Sequence, residues 1–265
     1  MATISGGLFV LSGTGLPLSS ADSHHPRIMS QPEISLVIPA YNEAARLPPN
    51  LDELFEFLDG FGHEAEVLIV DDGSTDGTAD LIREPARALA NEVNHGKGYA
   101  VRQGMLEARG EIRVFMDVDL AVPPRFLHDL IERIHEGNDI VIGSRHIAGA
   151  EVNAGEKQYR RTMGVIFNKL VRMFAVGGIS DTQCGFKGFT ADAAELLFNR
   201  QKLDGFAFDV ELLYMARRLG LQVLEMPVEW NDSESTKIRP LVDSAIMFKD
   251  ILRVRWLHFG EKWER

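Results

Sequence analysis

The chain has 265 residues, 45% of them apolar, enough to bury a real core as one large or two small domains. Its net charge of -11 excludes a broad basic surface for nucleic acid. Cys184, the single cysteine, excludes an internal disulfide and a cysteine-based zinc cluster, fits a reducing cytoplasm, and reads as a small buried side chain.

No stretch reaches the roughly 18 continuous apolar residues that a membrane span needs, so the chain reads as soluble or peripheral. Residues 1–31 are rich in serine and glycine and read as a disordered tail. A catalytic domain is expected over 32–240, followed by an amphipathic helix and tail over 241–265.

Residues 34–39 form an apolar, β-branched run closed by proline and followed by Tyr41-Asn42-Glu43, which is the pattern of a buried strand entering a loop. Asn50 and Glu53 make a capping-box pattern in front of Leu51, Leu54, Phe55 and Leu58 at helical spacing. Residues 66–70 supply a second strand ending in Asp71-Asp72, with a helix expected around Leu81 and Ile82. After a further helical stretch, Gly96-Lys97-Gly98 opens the next helix, where backbone amides and the Lys97 ammonium can approach an anion.

The strand at 112–116 ends in Asp117-Val118-Asp119. Residues two apart in an extended chain point the same way, so both carboxylates stand together at a strand's carboxyl end. A hard divalent cation, Mg2+ or Mn2+, relieves their repulsion and leaves positions for substrate phosphates. Turn and helix-cap chemistry is the alternative for the same pattern. Phe126, Leu127, Leu130, Ile131 and Ile134 mark a helix stopped at Gly137, and a fourth strand at 139–142 ends in Gly143-Ser144-Arg145. Strands alternating with helices imply an α/β, doubly wound, mostly parallel sheet whose four polar strand ends share one edge.

Residues 147–158 read as a loop over that edge, and a helix is expected with Met163, Ile166, Phe167, Leu170, Val171 and Phe174 on one face. A strand segment at 181–189, a helix after Asp209 and a late strand at 222–230 complete the domain.

Five segments, in order, give the chain a resemblance: Val37-Ile-Pro-Ala-Tyr-Asn-Glu43, Val70-Asp-Asp-Gly-Ser-Thr-Asp-Gly-Thr78, Gly96-Lys-Gly-Tyr-Ala-Val-Arg102, Asp181-Thr-Gln-Cys-Gly-Phe-Lys187 and Gly205-Phe-Ala-Phe-Asp-Val-Glu-Leu-Leu-Tyr214. Over about 34–255 it resembles glycosyltransferase family 2, of GT-A fold, and within it the dolichyl- and polyprenyl-phosphate hexose synthases of the glucosyl branch. The resemblance implies that Pro39, Tyr41, Glu43, Val70 and Asp72 line a nucleotide pocket. It implies that Asp117 and Asp119 bind the cation and donor diphosphate, that Arg145 contacts phosphate, and that Lys237, in a mobile loop, closes over the donor. Val118 stands where members often have alanine, a change outside the ligating groups.

The implied reaction is an inverting, metal-dependent transfer of a hexose from a nucleoside-diphosphate sugar, UDP-glucose by the branch, to polyprenyl phosphate. An ionised phosphate acceptor needs little general base; Asp209 and Glu211 would serve a hydroxyl acceptor as base, position the sugar, or simply favour a helix N-terminus. Two alternatives stay open: a family 2 transferase acting on a soluble or glycan hydroxyl, and a nonenzymatic nucleotide-sugar sensor. The family's eukaryotic glucosyl members carry an N-terminal span and many bacterial ones C-terminal spans. Here the expected location is cytoplasmic and peripheral, through a basic helix carrying Leu241, Ala245, Phe248, Leu252, Trp256 and Phe259 beside Lys249, Arg253 and Arg255, or through a membrane-protein partner or homo-oligomer.

Overall fold

The computed structural model describes residues 31–153, 177–231 and 240–264. The tail over 1–30, the helix expected around Met163 to Phe174, Lys237 and the side chains of Leu241 and Ala245 lie outside those residues.

The apolar runs form the strands they imply: β1 (Ile34–Ala40), β2 (Ala65–Asp71), β4 (Ile112–Met116) and β5 (Ile140–Ser144). With β3 (Arg87–Ala90), β7 (Phe186–Thr190) and β8 (Val223–Pro227) they build a seven-stranded sheet in the order β3-β2-β1-β4-β7-β5-β8. All pairs are parallel except those of β7, which runs antiparallel to both β4 and β5. A small parallel ribbon pairs β6 (Glu151–Asn153) with β9 (Glu229–Asn231).

Both faces of the sheet are covered, which is why its strands read as continuous apolar runs. Leu36 and Ile38 of β1 join a core with Leu51 and Leu54 of α1 (Leu47–Asp59) and Leu127 and Leu130 of α3 (Phe126–His135). Val37, on the opposite face, packs with residues of α2 (Lys97–Glu107), α4 (Ala191–Phe198), α5 (Phe208–Arg218) and α6 (Pro240–Leu257). Each fully buried Leu or Val contributes about 1.5–3 kcal/mol relative to exposure, and the alternation of side chains along one strand feeds both cores at once.

Several expectations are corrected. Helix α1 begins at Leu47, not at Asn50: prolines are tolerated in its first turn, and the Asn50 carboxamide donates instead to the Val118 carbonyl (2.7 Å). Around Leu81 there is one 3-10 turn, Ala79–Leu81, because Pro85 follows too closely for a helix to propagate. The stretch after it is not helical; it holds the edge strand β3. The loop at 147–158 contains β6, and the late strand is divided at Val228 into β8 and β9.

Candidate active site

Parallel strands share direction, so the carboxyl ends of β1, β2, β4 and β5 reach one edge of the sheet. Antiparallel β7 brings its amino end there as well. Its register sets Phe186 against Met116, and the Asp117 amide donates to the Gly185 carbonyl at 3.0 Å. A Cβ at Gly185 would stand 1.9 Å from Asp117 Oδ2, so the carboxylate lies directly over the glycine.

Loops after β1 and β2 are laced together by the acids and hydroxyls that the sequence shows there. Thr78 Oγ1 accepts from the Glu43 amide (2.7 Å), Ser74 Oγ from the Asn42 amide (2.8 Å) and Asp76 Oδ2 from the Ala44 amide (3.1 Å). Asn42 Oδ1 accepts in return from the Thr75 amide at 2.8 Å. Gly73 closes the turn with φ +71°, where a Cβ would meet the Val93 backbone at 2.4 Å. The Asp72 carboxylate is buried and holds the loop before α2, accepting from Asn91 Nδ2 (3.0 Å), the His95 amide (3.1 Å) and the Gly96 amide (2.7 Å). Val70 is fully buried in the core, which leaves only its backbone for any ligand; Pro39 is half-buried beside it, and Tyr41 is exposed.

Charges alternate across the edge. Lys97 Nζ meets Asp117 Oδ1 at 2.6 Å. Arg46 pairs with Glu43 on two nitrogens, both at 2.7 Å, and its Nη1 lies 4.0 Å from Asp119 Oδ2. Asp119 Oδ1 accepts from the Ala121 amide (3.2 Å), and Val118 between the two acids is buried. Asp209, in the first turn of α5, is buried and accepts from the buried Lys187 ammonium at 2.5 Å. Burial pushes the Asp209 carboxyl above its ordinary range in spite of the Lys187 and Lys97 charges. For Lys97 burial acts downward, yet the Asp117 and Asp209 charges hold its ammonium above the usual value. Glu211 is removed from substrate chemistry: fully buried, it accepts from the amides of Lys202 and Leu203 and pairs with His258.

Arg145 makes a two-pronged contact with Asp181, Nε to Oδ2 at 2.6 Å and Nη2 to Oδ1 at 2.9 Å, and its guanidinium lies over the Trp230 ring at 5.4 Å. Burial would raise the Asp181 carboxyl, but the Arg145 charge and hydrogen bonds hold it down to about 2. Glu225 of β8 accepts from the Ser180 and Asp181 amides and so anchors that partner (2.8 and 2.9 Å). Cys184 is buried, and that burial pushes its thiol up to about 12, which removes it as a nucleophile.

Asp117 and Asp119 fit a hard divalent cation. Both donors are carboxylate oxygens, the kind a hard cation takes, and the Gly185 seat brings Asp117 against bare backbone; Lys97 and Arg46 are the cations that face the two acids in this structure. Among the described residues no group of three or more His, Cys, Asp or Glu side chains gathers, so phosphate oxygens and water would complete the shell, as is usual for Mg2+. Sequence reasoning gave no role to Arg46, Asp181, Lys187 or Trp230, although Asp181 and Lys187 bracket one of the quoted segments.

Residues 35–198 match the family model described as Glycosyl transferase family 2. A dolichyl-phosphate beta-glucosyltransferase of Dictyostelium discoideum is 36% identical over 249 residues, covering 87% of this chain and 76% of that protein. The Saccharomyces cerevisiae and Homo sapiens proteins of that name are 35% and 34% identical, over 84% and 90% of this chain and 74% and 80% of theirs. Among solved structures, glucosyl-3-phosphoglycerate synthase from Mycobacterium tuberculosis, in complex with Mn2+, UDP-glucose and phosphoglyceric acid, superposes with a TM-score of 0.66. At 22% identity over 87% of this chain and 82% of that one, it is similar in fold.

Proposed function

Because the chain belongs to glycosyl transferase family 2 and is a glycosyltransferase, we propose that it moves glucose, with inversion, from UDP-glucose to the phosphate of a dolichyl- or polyprenyl-type lipid at a membrane surface. What supports this reading is that Asp117 and Asp119 follow β4 and Arg145 follows β5, on the same edge of the sheet, in a chain similar over most of its length to dolichyl-phosphate beta-glucosyltransferases.

Asp117 and Asp119 would hold Mg2+ or Mn2+, which supplies charge neutralisation for a diphosphate. The chain's own residues do the rest. Arg145 is oriented by Asp181 through Nε and Nη2, leaving Nη1 to face charge developing on the leaving group. Lys97 adds a second fixed cation beside Asp117. The Tyr41–Glu43 loop, tied down by Ser74, Asp76 and Thr78, gives the nucleotide a rigid wall. Asp209 is ion-paired to Lys187, which suits a positioning role better than that of a free base. A phosphate acceptor is ionised near neutral pH and requires none.

Helix α6 supports the membrane part of the reading. No described helix is long and apolar enough to cross a membrane. Ile251 and Val254 pack inward, whereas Leu252, Trp256 and Phe259 point outward, the last two 79% and 86% exposed. Exposed Lys249, Arg255 and Lys262 lie on the same segment, with Arg253 paired to Asp250, on a protein of net charge -11. Exposed aromatic side chains beside cations fit an anionic lipid surface.

Incubation of the full chain with Mn2+, radiolabelled UDP-glucose and vesicles carrying polyprenyl phosphate should yield labelled glycolipid. Transfer only to soluble hydroxyl acceptors would refute the acceptor, and no turnover of the donor would refute the donor.

A further inference from the structure

Strand β7 carries a lysine where its neighbours in the sheet carry apolar side chains. Lys187 stands opposite Phe115 of β4 and Ile142 of β5 and is 1% exposed. An ammonium so deeply buried has given up its hydration and stays charged only through its partners. Lys187 has the Asp209 carboxylate at 2.5 Å and the Cys184 carbonyl at 2.7 Å, and its Nζ lies 5.0 Å from the centre of the Phe115 ring. We propose that Lys187 is a positioning residue for the donor's diphosphate, acting through Asp209 on the Lys97 ammonium. The inference rests on the reading of Lys97 and Asp117 as the diphosphate side of the site, and it adds what sets that ammonium in place.

Packing brings these charges into a row. Asp209 lies in the first turn of α5 and Lys97 in the first turn of α2. The two helix starts are in close contact: a Cβ at Gly98, next to Lys97, would stand 2.8 Å from the Cβ of Phe208, next to Asp209. The Tyr99 amide donates to the Asp204 carbonyl at 3.1 Å, which ties the same turn of α2 to the segment that leads into α5. Lys187 holds Asp209 at one end, and Lys97 meets Asp117 at 2.6 Å at the other. Signs therefore alternate from Lys187 through Asp209 and Lys97 to Asp117. Burial weighs first on the two middle members. Against it, the charges of Asp117 and Asp209 support the Lys97 ammonium, and those of Lys187 and Lys97 support the Asp209 carboxylate.

The row gives the buried lysine a task beyond holding the sheet together. A lysine head is a compact charge on a flexible stem, so its place is set by the acids around it. While Asp209 is ionised, Lys97 answers to two carboxylates. Without the Lys187 charge, burial neutralises Asp209, and Lys97 is drawn to Asp117 alone. A cation displaced in this way no longer meets a diphosphate where the site requires it.

The test measures UDP binding by calorimetry in Mn2+ on the full chain. One variant, Lys187→Met with Asp209→Asn, takes both charges out of the core and leaves no buried ion uncompensated. It should weaken UDP about tenfold, and Lys97→Gln should weaken it at least as much. With all three substitutions the loss should match that of Lys97→Gln within about twofold, because the pair acts through a lysine that has been removed. Such coupling is what a merely structural role would not show, since damage to the fold would multiply with the loss of Lys97. Multiplied losses, or a pair variant that binds UDP like wild type, overturn the proposal. Should the pair variant fail to fold, Lys187→Arg, which keeps the charge but moves it, replaces it on both backgrounds with the same expectation. A wild-type chain that binds no UDP refutes the donor reading itself, whereas a wild type that binds UDP, with losses that multiply, refutes only the role of Lys187.

Discussion

Arg145 and Asp181 meet edge to edge, two nitrogens on two oxygens, with the carboxylate fully buried and the guanidinium at the rim of the site. The pair couples catalysis to stability. Arg145→Ala should lower kcat on the order of 10²-fold and, by leaving a buried carboxylate uncompensated, cost roughly 3–5 kcal/mol of stability. Asp181→Asn should spare the fold more and still lower kcat, because Arg145 loses its orientation. The Asp181 carboxyl lies at about 2, below its ordinary 3.8. Its contribution, roughly 2 kcal/mol, is therefore present above the ordinary value and is lost as pH falls through the folded one. Urea denaturation of wild type and Asp181→Asn below pH 5 checks this; parallel curves would refute it.

Asp119→Asn should leave the unliganded melting temperature near that of wild type, since the side chain is partly exposed at a strand end rather than in the core. What should vanish is stabilisation by UDP that depends on Mn2+. For wild type that stabilisation is about 2.7 kcal/mol at a hundredfold excess over Kd. Thermal shift with nucleotide and chelator reads it directly, and a variant still stabilised like wild type would remove Asp119 from the cation.

His258 offers a second pH dependence, of opposite sign. Its Nε2 lies 2.6 Å from Glu211 and its Nδ1 2.9 Å from Glu261, so both ring nitrogens face carboxylates and the ring is best satisfied as imidazolium. Lys202 pairs with Glu261 from the far side, and Tyr214 and Trp263 pack on the ring. Burial works to lower the imidazole, but the two glutamates hold it above its ordinary 6.5. Stability from this cluster is complete below 6.5 and falls as pH rises through the folded value. His258→Gln should flatten that fall in denaturation midpoints measured from pH 6 to 9, and an unaltered slope would show that the cluster does not titrate.

The outward face of α6 should bind anionic vesicles weakly and in a salt-sensitive way. Neutralising Lys249, Arg253 and Arg255 removes about 1 kcal/mol for each charge near the surface, and Trp256→Ala with Phe259→Ala removes the apolar anchor. Co-sedimentation measures both, with UDP affinity as the internal control. Binding indifferent to all five changes would relocate membrane attachment to another face or a partner.

Much of the sheet was legible because strands buried on both faces read as unbroken apolar runs: Ile34, Val67, Ile112 and Ile140 each open or join one. The acids and hydroxyls after them marked the ligand edge. Edge strand β3 was not legible, since Arg-Ala-Leu-Ala is too short and too weakly patterned, and is fixed by pairing with β2, by Leu89 on the core and by Arg87 on the Glu107 carbonyl. Trp230 was read merely as part of a late strand; its place under the Arg145 guanidinium comes from β9, whose Asn231 amide reaches the Ala121 carbonyl, a contact with no local signature. On α6 and the turn after it the periodicity found the stripe of Leu252, Trp256 and Phe259, but only burial of Ile251 and Val254 shows that this stripe turns outward.

The antiparallel strand has a consequence for how the protein is made. β4 and β5 are neighbours in sequence order, yet β7 lies between them in the sheet. Until residues 186–190 leave the ribosome, two completed strands can show each other unpaired amides and carbonyls across an empty slot. Open strand edges invite pairing with other chains, so during this interval the nascent protein carries an aggregation hazard that the finished sheet does not. The strand that leads to Asp117 and the strand that leads to Arg145 take up their final separation only when that late insertion closes the sheet.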